Sequence, residues 1–555
     1  MLASLTEIMP SPYLWSGIPA AMYYAYYYKT YCGQVPEIYG ADGAFLRLMK
    51  EKCPALHEEY RPPPLVHESR LMTIFASIGR HRGLNFPYMR ELFITSDGGE
   101  IALDWWDARL KPKSPSEVPV VSSTSLVDSL SYYFRFPSLQ IPYFGSAAST
   151  SAPDTSGDIS DASIPTGSTE ARKLSVGDAP SSVPELDDLV PTHVHLPKSV
   201  SNITADPADV DVSVAVEHPE KLVPIAEKNA DGADQSAVGR SDVYVPEPTG
   251  LVLILPGLTG NSGQNYVRGL VQVVEELGFT AIVMNYRGMA GDLKTPKSYC
   301  AVDTTDIAEV IQLLKRRYPT VPVMAVGISL GGILLCQYLA YCGKNNIDSL
   351  LVGVMAVSVG WNIFESCKTL EQPLNWLLFN RMLTRSLCAA VHRHSNMLKN
   401  NYDLEGLKNV RTIREFDSHI TSKMFGFSDV DEYYKNASLY DKIQFIKTPL
   451  LALNAADDVF SPNDAIPREE AKKNPNMCLV VTSHGGHIGF LEQRNPFGRN
   501  YVERLFEQFA RAVFENRDIL PVPVRIITPH EEVPVNTAEI PLVPDVDTQT
   551  APSLD

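Results

Sequence analysis

Six short apolar runs between Thr249 and Thr482 constrain the fold more than any other feature of this chain. They are Leu251–Leu255, Thr280–Asn285, Val321–Val326, Leu350–Ser358, Pro449–Asn454 and Met477–Thr482. Helical periodicity fills intervals between or after them, over Gln264 to Leu277, Ala301 to Tyr318 and Asn500 to Glu515. A strand that is apolar at nearly every position is buried on both faces, which marks a parallel sheet covered by helices on both sides. The predicted class is therefore α/β, with a mostly parallel central sheet flanked by helices. Residues 360–447 interrupt the alternation, read as mostly helical, and contain Trp361 and Trp376 to Phe379. An insertion there is expected to cap the C-terminal edge of the sheet, where open α/β folds bind ligands. Upstream, Glu91–Thr95 and Glu100–Trp106 flank Ser-Asp-Gly-Gly and read as a β-hairpin.

The third run leads into Gly327-Ile-Ser329-Leu-Gly331, and an apolar helical pattern follows at once. A strand, a sharp turn and a helix put a serine hydroxyl at the apex. The two glycines permit the tight turn, and the helix N-terminus favours negative charge nearby. A serine needs a base and an acid to become a nucleophile. Behind the last two strands stand Asp457-Asp458-Val-Phe-Ser-Pro462 and Ser483-His484-Gly-Gly-His487-Ile-Gly-Phe490, in the chain order Ser, Asp, His. Asp458 is the preferred acid, with Asp457 as a brace of its loop. His487 is the preferred base, with His484 as a loop residue. Backbone N–H groups of Leu330, after the serine, and Leu258, in Pro256-Gly-Leu-Thr-Gly260, are the expected oxyanion donors. No G-x-x-x-x-G-K-S/T loop and no metal-ligand spacing occurs, so the reading calls for no cofactor and no metal.

Charge is unevenly placed. The chain of 555 residues carries a net charge of −17, which disfavours a nucleic-acid partner. Residues 145–243 hold 17 Asp and Glu against 6 Lys and Arg, and no aromatic residue lies between Phe144 and Tyr244. Such a segment cannot bury enough apolar surface to offset ordering entropy, so 146–243 reads as a disordered acidic insertion. It divides an N-terminal part, 41–110, from the core at 245–517. The tail at 519–555 reads as mobile. The eight cysteines form no C-x-x-C pair and read as small buried hydrophobes. Ile8 to Tyr28 is free of charge and rich in Tyr. As a helix it would span about 30 Å. It is read as a membrane anchor or interfacial segment, the competing reading being an aromatic helix packed on the domain.

Several motifs together resemble one family. They are Asp97-Gly-Gly99 with Leu103-Asp-Trp105, Pro256-Gly-Leu-Thr-Gly260, Asn285-Tyr-Arg-Gly288 and Gly327-Ile-Ser-Leu-Gly-Gly332. Thr412-Ile-Arg-Glu-Phe-Asp417, Asp457-Asp-Val-Phe-Ser-Pro462 and Gly485-Gly-His-Ile-Gly-Phe490 complete the set. The chain resembles the α/β-hydrolases of the abhydrolase-domain-containing type one and three, with yeast ethanol acyltransferases and bacterial YheT. The resemblance covers about 41–107 and 245–515. It implies the α/β-hydrolase fold, a triad of Ser329, Asp458 and His487, a lipid ester substrate of the phosphatidylcholine class, and a single-pass membrane protein. Transfer of the acyl group to an alcohol is the alternative chemistry. A non-catalytic membrane scaffold is the alternative of another class.

Overall fold

The computed structural model describes residues 22–30, 32–79, 84, 86–110, 245–492 and 498–520. The expected insertion at 146–243 and residues 521–555 of the expected tail lie outside the described residues. Among the described residues nine strands form one sheet: β1 (Glu37–Tyr39), β2 (Met89–Ile94), β3 (Glu100–Trp106), β4 (Leu251–Leu255), β5 (Thr280–Asn285), β6 (Val323–Ile328), β7 (Gly353–Val357), β8 (Leu450–Ala455) and β9 (Met477–Thr482). Their order is β1-β9-β8-β7-β6-β4-β5-β3-β2. Strands β4 to β9 pair in parallel. The β2–β3 hairpin adds antiparallel to β5 at one edge, and β1 adds antiparallel to β9 at the other. Strand β1 lies ahead of the expected domain start at 41. Its three residues are too few to show a period.

The alternation along each central strand explains why nearly all positions are apolar. Leu251, Leu253 and Leu255 of β4 face one core with Ala325 and Val354. Val252 and Ile254 face the other with Val326 and Val357. The first core is closed by helices Thr305–Arg317 and Leu330–Asn345, and the second by Asn265–Glu276 and Tyr501–Glu515. At about 25 cal/mol per Å² of apolar area, a side chain such as Leu253 contributes roughly 1.5–3 kcal/mol by leaving water. The eight cysteines are free and seven are buried. Burial pushes the Cys53 and Cys336 thiols up to about 12, so they pack as apolar groups.

Two clusters tie the N-terminal hairpin to the core. Arg287 is buried and makes two-pronged contacts with Asp306 and Asp97. The Asp104 carboxylate, fully buried, accepts from Arg90, Ser262 and Asn285. Asn285 Oδ1 in turn accepts the Ser262 N–H at 2.9 Å. The Leu103-Asp-Trp105 and Asn285-Tyr-Arg-Gly288 motifs therefore hold the loop that follows β4.

Between β7 and β8 the chain forms the cap, with helices Ile363–Leu370, Arg381–Arg393 and Val430–Ala437. It also holds two five-residue π-helical turns, Trp376–Asn380 and Asp417–Thr421. Leu387, Val391, Leu398, Leu407, Phe416 and Ile420 give it a small core of its own with Leu293.

The expected membrane anchor or interfacial segment over 8–28 falls mostly outside the described residues. Residues 8–21 lie outside the described residues, and 22–28 belong to a helix at 22–30 that packs on the domain. Tyr24 Oη accepts the Leu65 N–H at 2.8 Å, and Tyr28 Oη donates to the Pro62 carbonyl. Among the described residues no helix is long and apolar enough to cross a membrane.

Candidate active site

Strands β4 and β6 are neighbours, with Leu255 opposite Gly327, and β8 and β9 are neighbours, with Ala455 opposite Thr482. The loops after these four strands therefore meet along one edge of the sheet. Ser329 follows β6 directly, at φ 53° and ψ −114°. A non-glycine residue there costs about 1–3 kcal/mol and persists when the surroundings enforce it. Here the Ser329 N–H donates to the Val357 carbonyl at 2.8 Å. A Cβ at Gly327 would stand 2.4 Å from the Gly331 carbonyl oxygen, and one at Gly331 would stand 2.3 Å from that of Leu255. No other residue fits either position without moving backbone.

The structure brings Ser329, His487 and Asp458 into one hydrogen-bonded line. His487 Nε2 is 2.9 Å from Ser329 Oγ. His487 Nδ1 is 3.0 and 3.1 Å from the two Asp458 carboxylate oxygens. Asp458 Oδ1 also accepts the N–H groups of Phe460 and Ser461, as a carboxylate does. The imidazole proton therefore sits on Nδ1, and Nε2 accepts from the serine hydroxyl. Asp458 and His487 are buried, while Ser329 is half-buried.

Several residues that the sequence did not single out position this line. The His487 N–H donates to Thr73 Oγ1 at 2.9 Å, across 414 residues of chain. The Ile488 N–H donates to Ser358 Oγ at 3.1 Å. The Phe460 ring stacks on the His487 ring at 4.0 Å between centroids. Gly486, at φ 56°, lets the loop approach helix Ser69–Gly79 so closely that a Cβ would meet the Ser69 carbonyl at 2.5 Å. Five non-glycine residues with positive φ, Thr259, Ser329, Ser358, Ile488 and Phe490, lie on these same loops. Phe460 stood in the quoted Asp457–Pro462 motif and was legible in principle. Thr73 lies in an ordinary amphipathic helix and carries no signal.

The other two candidates fall elsewhere. Asp457 Oδ1 accepts the Gly486 N–H at 2.8 Å, so it ties the acid loop to the histidine loop. Its Oδ2 is enclosed without a partner among the described residues, and burial pushes the carboxyl up to about 7. His484 pairs with Ser483 Oγ and faces His67 at 6.2 Å, and burial lowers its pKa.

The loop after β4 lies against the serine, since a Cβ on Gly257 would stand 3.5 Å from Ser329 Cβ. Tyr266 Oη accepts the Gly257 N–H and Tyr299 Oη accepts the Thr259 N–H. The Leu258 N–H between them has no hydrogen-bond partner among the described residues. Leu330 opens helix Leu330–Asn345, whose first N–H groups have no acceptor within the helix. Leu258, Leu330, Ser329 and His487 all line one cavity of about 380 Å³. Its remaining wall is mostly apolar and comes largely from the cap, with Leu370, Phe379, Leu387 and Phe416 among its residues. The arrangement can hold an elongated apolar group with a polar, reactive centre at the serine.

Comparison with known proteins agrees with this fold. A family model described as the alpha/beta hydrolase fold matches residues 250–493. Phospholipase ABHD3 of Mus musculus is 42% identical over 54% of this chain and 73% of its own length. Phospholipase ABHD3 of Homo sapiens is 45% identical over 48% of this chain, which spans 64% of that relative's length. A monoacylglycerol lipase of Saccharomyces cerevisiae is 34% identical over 46% of this chain and 58% of its own. The chain belongs to the α/β-hydrolase family, in the group that includes the ABHD3 proteins.

Proposed function

We propose that this protein is a serine esterase that cleaves acyl esters of lipids, acting as a phospholipase. The hydrogen-bonded line from Ser329 through His487 to Asp458, at the floor of an apolar cavity, carries the reading. Relatives named phospholipase and monoacylglycerol lipase support the substrate class.

In this mechanism the acyl chain lies in the cavity with its carbonyl at Ser329. Nε2 of His487 takes the hydroxyl proton as Oγ attacks the carbonyl carbon. Asp458 stabilises the imidazolium that results. The N–H groups of Leu258 and Leu330 receive the developing oxyanion, each such donor being worth about 2.7–4 kcal/mol in comparable sites. His487 then protonates the leaving alcohol, which departs and leaves an acyl-enzyme. A water molecule gives its proton to Nε2 and its oxygen to the acyl carbon, which frees the fatty acid and restores Ser329.

The protein works at a membrane surface. The uncharged N-terminal residues and the exposed side chains of Met22, Tyr23 and Tyr26 are its proposed contact. The experiment incubates purified protein with phosphatidylcholines of graded acyl length and follows released acid by mass spectrometry, with and without a competing alcohol. Free fatty acid that disappears with Ser329→Ala supports hydrolysis. Acyl ester of the alcohol as the main product would replace hydrolysis by acyl transfer. Absence of turnover on any acyl ester would overturn the reading.

A further inference from the structure

The cap has a second face that the mechanism does not use. Residues 372–402 contain no Asp or Glu and four Lys or Arg, in a chain whose net charge is −17. Within this stretch the π-helical turn Trp376–Asn380 divides its side chains between two sides. Phe379 lines the cavity, while Leu377 and the neighbouring Leu374 are about half exposed, at 47% and 52%. Helix Ser69–Gly79 is divided in the same way. Ile74 lines the cavity, and Leu71 and Phe75 are each 44% exposed. The two elements are neighbours, because Arg70 Nε donates to Asn375 Oδ1 at 2.8 Å and Ile74 and Leu378 both pack against the small cluster that holds Phe379. Four large apolar side chains therefore stand on the outer side of two elements that wall the cavity.

Cations accompany them. The Arg381 guanidinium stacks on Trp376 at 5.5 Å, and Trp376 Nε1 donates to the Arg411 carbonyl. Arg385 lies one turn beyond Arg381 and has Arg381 and Arg411 as its charged neighbours; desolvation, and then these two charges, lower its pKa. None of the three forms an ion pair with a described carboxylate. Glu415, the nearest acid in sequence to Arg411, is engaged by the N–H groups of Arg411 and Thr412. Three guanidinium groups near one another, none in a direct ion pair among the described residues and Arg411 also donating to the Lys408 and Val410 carbonyls, favour an anion outside the chain. Leu and Trp at the same surface, with Arg beside them, match the interfacial zone of a bilayer, where aromatic rings sit at headgroup depth.

We propose that this face of the cap, with Leu71, Phe75, Leu374, Trp376 and Leu377 as the apolar part and Arg381, Arg385 and Arg411 as the charged part, docks on an anionic lipid bilayer. Docking sets the cavity wall against the source of substrate, so that a lipid reaches Ser329 without crossing water. The proposal rests on the lipid-ester reading for its purpose, but its test reads contact and not turnover.

The test uses the full chain in a Cys388→Ser background, with an environment-sensitive fluorophore on Leu377→Cys or, as a control, on Leu92→Cys of the edge strand β2. Each is mixed with vesicles of phosphatidylcholine, or of equimolar phosphatidylcholine and phosphatidylserine, carrying a lipid-bound quencher. The label at 377 is expected to shift to the blue and be quenched with phosphatidylserine present, and the label at 92 is expected to stay in water. Arg385→Gln with Arg411→Gln should reduce the docked fraction roughly tenfold or more, each arginine near an anionic surface contributing on the order of 1 kcal/mol. Turnover of a soluble short-acyl ester, unchanged in these variants, shows that they fold. A label at 377 that stays in water on vesicle-bound protein overturns the proposal. So does equal quenching with and without the two arginines, or capture of this face by an acidic protein while vesicles leave it exposed.

Discussion

Thr73 offers the sharpest test of how the base is held. Its Oγ1 donates to the Ser69 carbonyl at 2.8 Å and accepts the His487 N–H at 2.9 Å. Thr73→Val keeps the shape and removes the acceptor. His487 is buried, so its N–H then has no replacement partner, at a cost of about 1–3 kcal/mol. Part of that cost is relieved if the loop moves, and movement carries the imidazole away from Ser329. A displacement near 1 Å at a reacting group lowers the rate by roughly 100-fold. The expected result is a kcat lower by about 10- to 100-fold, KM nearly unchanged, and a stability loss of about 1–3 kcal/mol. Thr73→Ser retains the hydroxyl and should behave almost as the wild type. The assay is steady-state turnover of a soluble short-acyl ester, with urea unfolding alongside. A Val variant that loses stability yet keeps kcat within about twofold would refute the positioning role, as would a Ser variant as impaired as Val.

Two further outcomes follow from buried charge. Asp457 has a folded pKa of about 7 against an ordinary 3.8. The folded protein thus holds a proton that the unfolded chain has released, and this contribution to stability, full below about pH 4, is lost as pH rises through 7. Asp457→Asn should flatten that decline and raise the thermal midpoint at pH 8; an unchanged pH slope would count against it. Arg287→Met leaves Asp306 buried without its guanidinium and should cost about 3–5 kcal/mol at pH 8, measured by urea unfolding. The deficit should shrink at pH 5, where the unpaired carboxyl takes up a proton, and a deficit equal at both values would contradict the reasoning.

The central strands were legible because each faces apolar helices on both sides, which leaves polar residues only at strand ends, such as Thr280, Asn285, Asn454 and Thr482. Strand ends were less so. β6 runs on to Ile328, two residues past the sequence reading, because Gly327 pairs with Leu255 and Ala356 and carries the strand up to the serine. Helix Thr305–Arg317 begins four residues later than its apolar period, since Ala301 and Val302 pack from a loop. Of the candidate site, Ser329, Asp458 and His487 stood in motifs behind strands, and geometry brings them together. The sequence preferred Asp458 over Asp457, and the structure turns Asp458 to Nδ1 and Asp457 to the Gly486 N–H. Thr73 and Ser358 hold the histidine loop through single hydroxyls on distant elements, and no local period marks such contacts. The cap's inner and outer faces were hidden for a related reason. Its π-helical turns rotate side chains off the 3.6-residue period by which a face is read.

The account depends most on Ser329 being an activated nucleophile. Intact-mass analysis of the full chain after exposure to a fluorophosphonate addresses this directly. The wild type should gain a single adduct, mapped by peptide sequencing to Ser329, and Ser329→Ala should gain none. Equal labelling of the two proteins, or an adduct on any other residue, would contradict it.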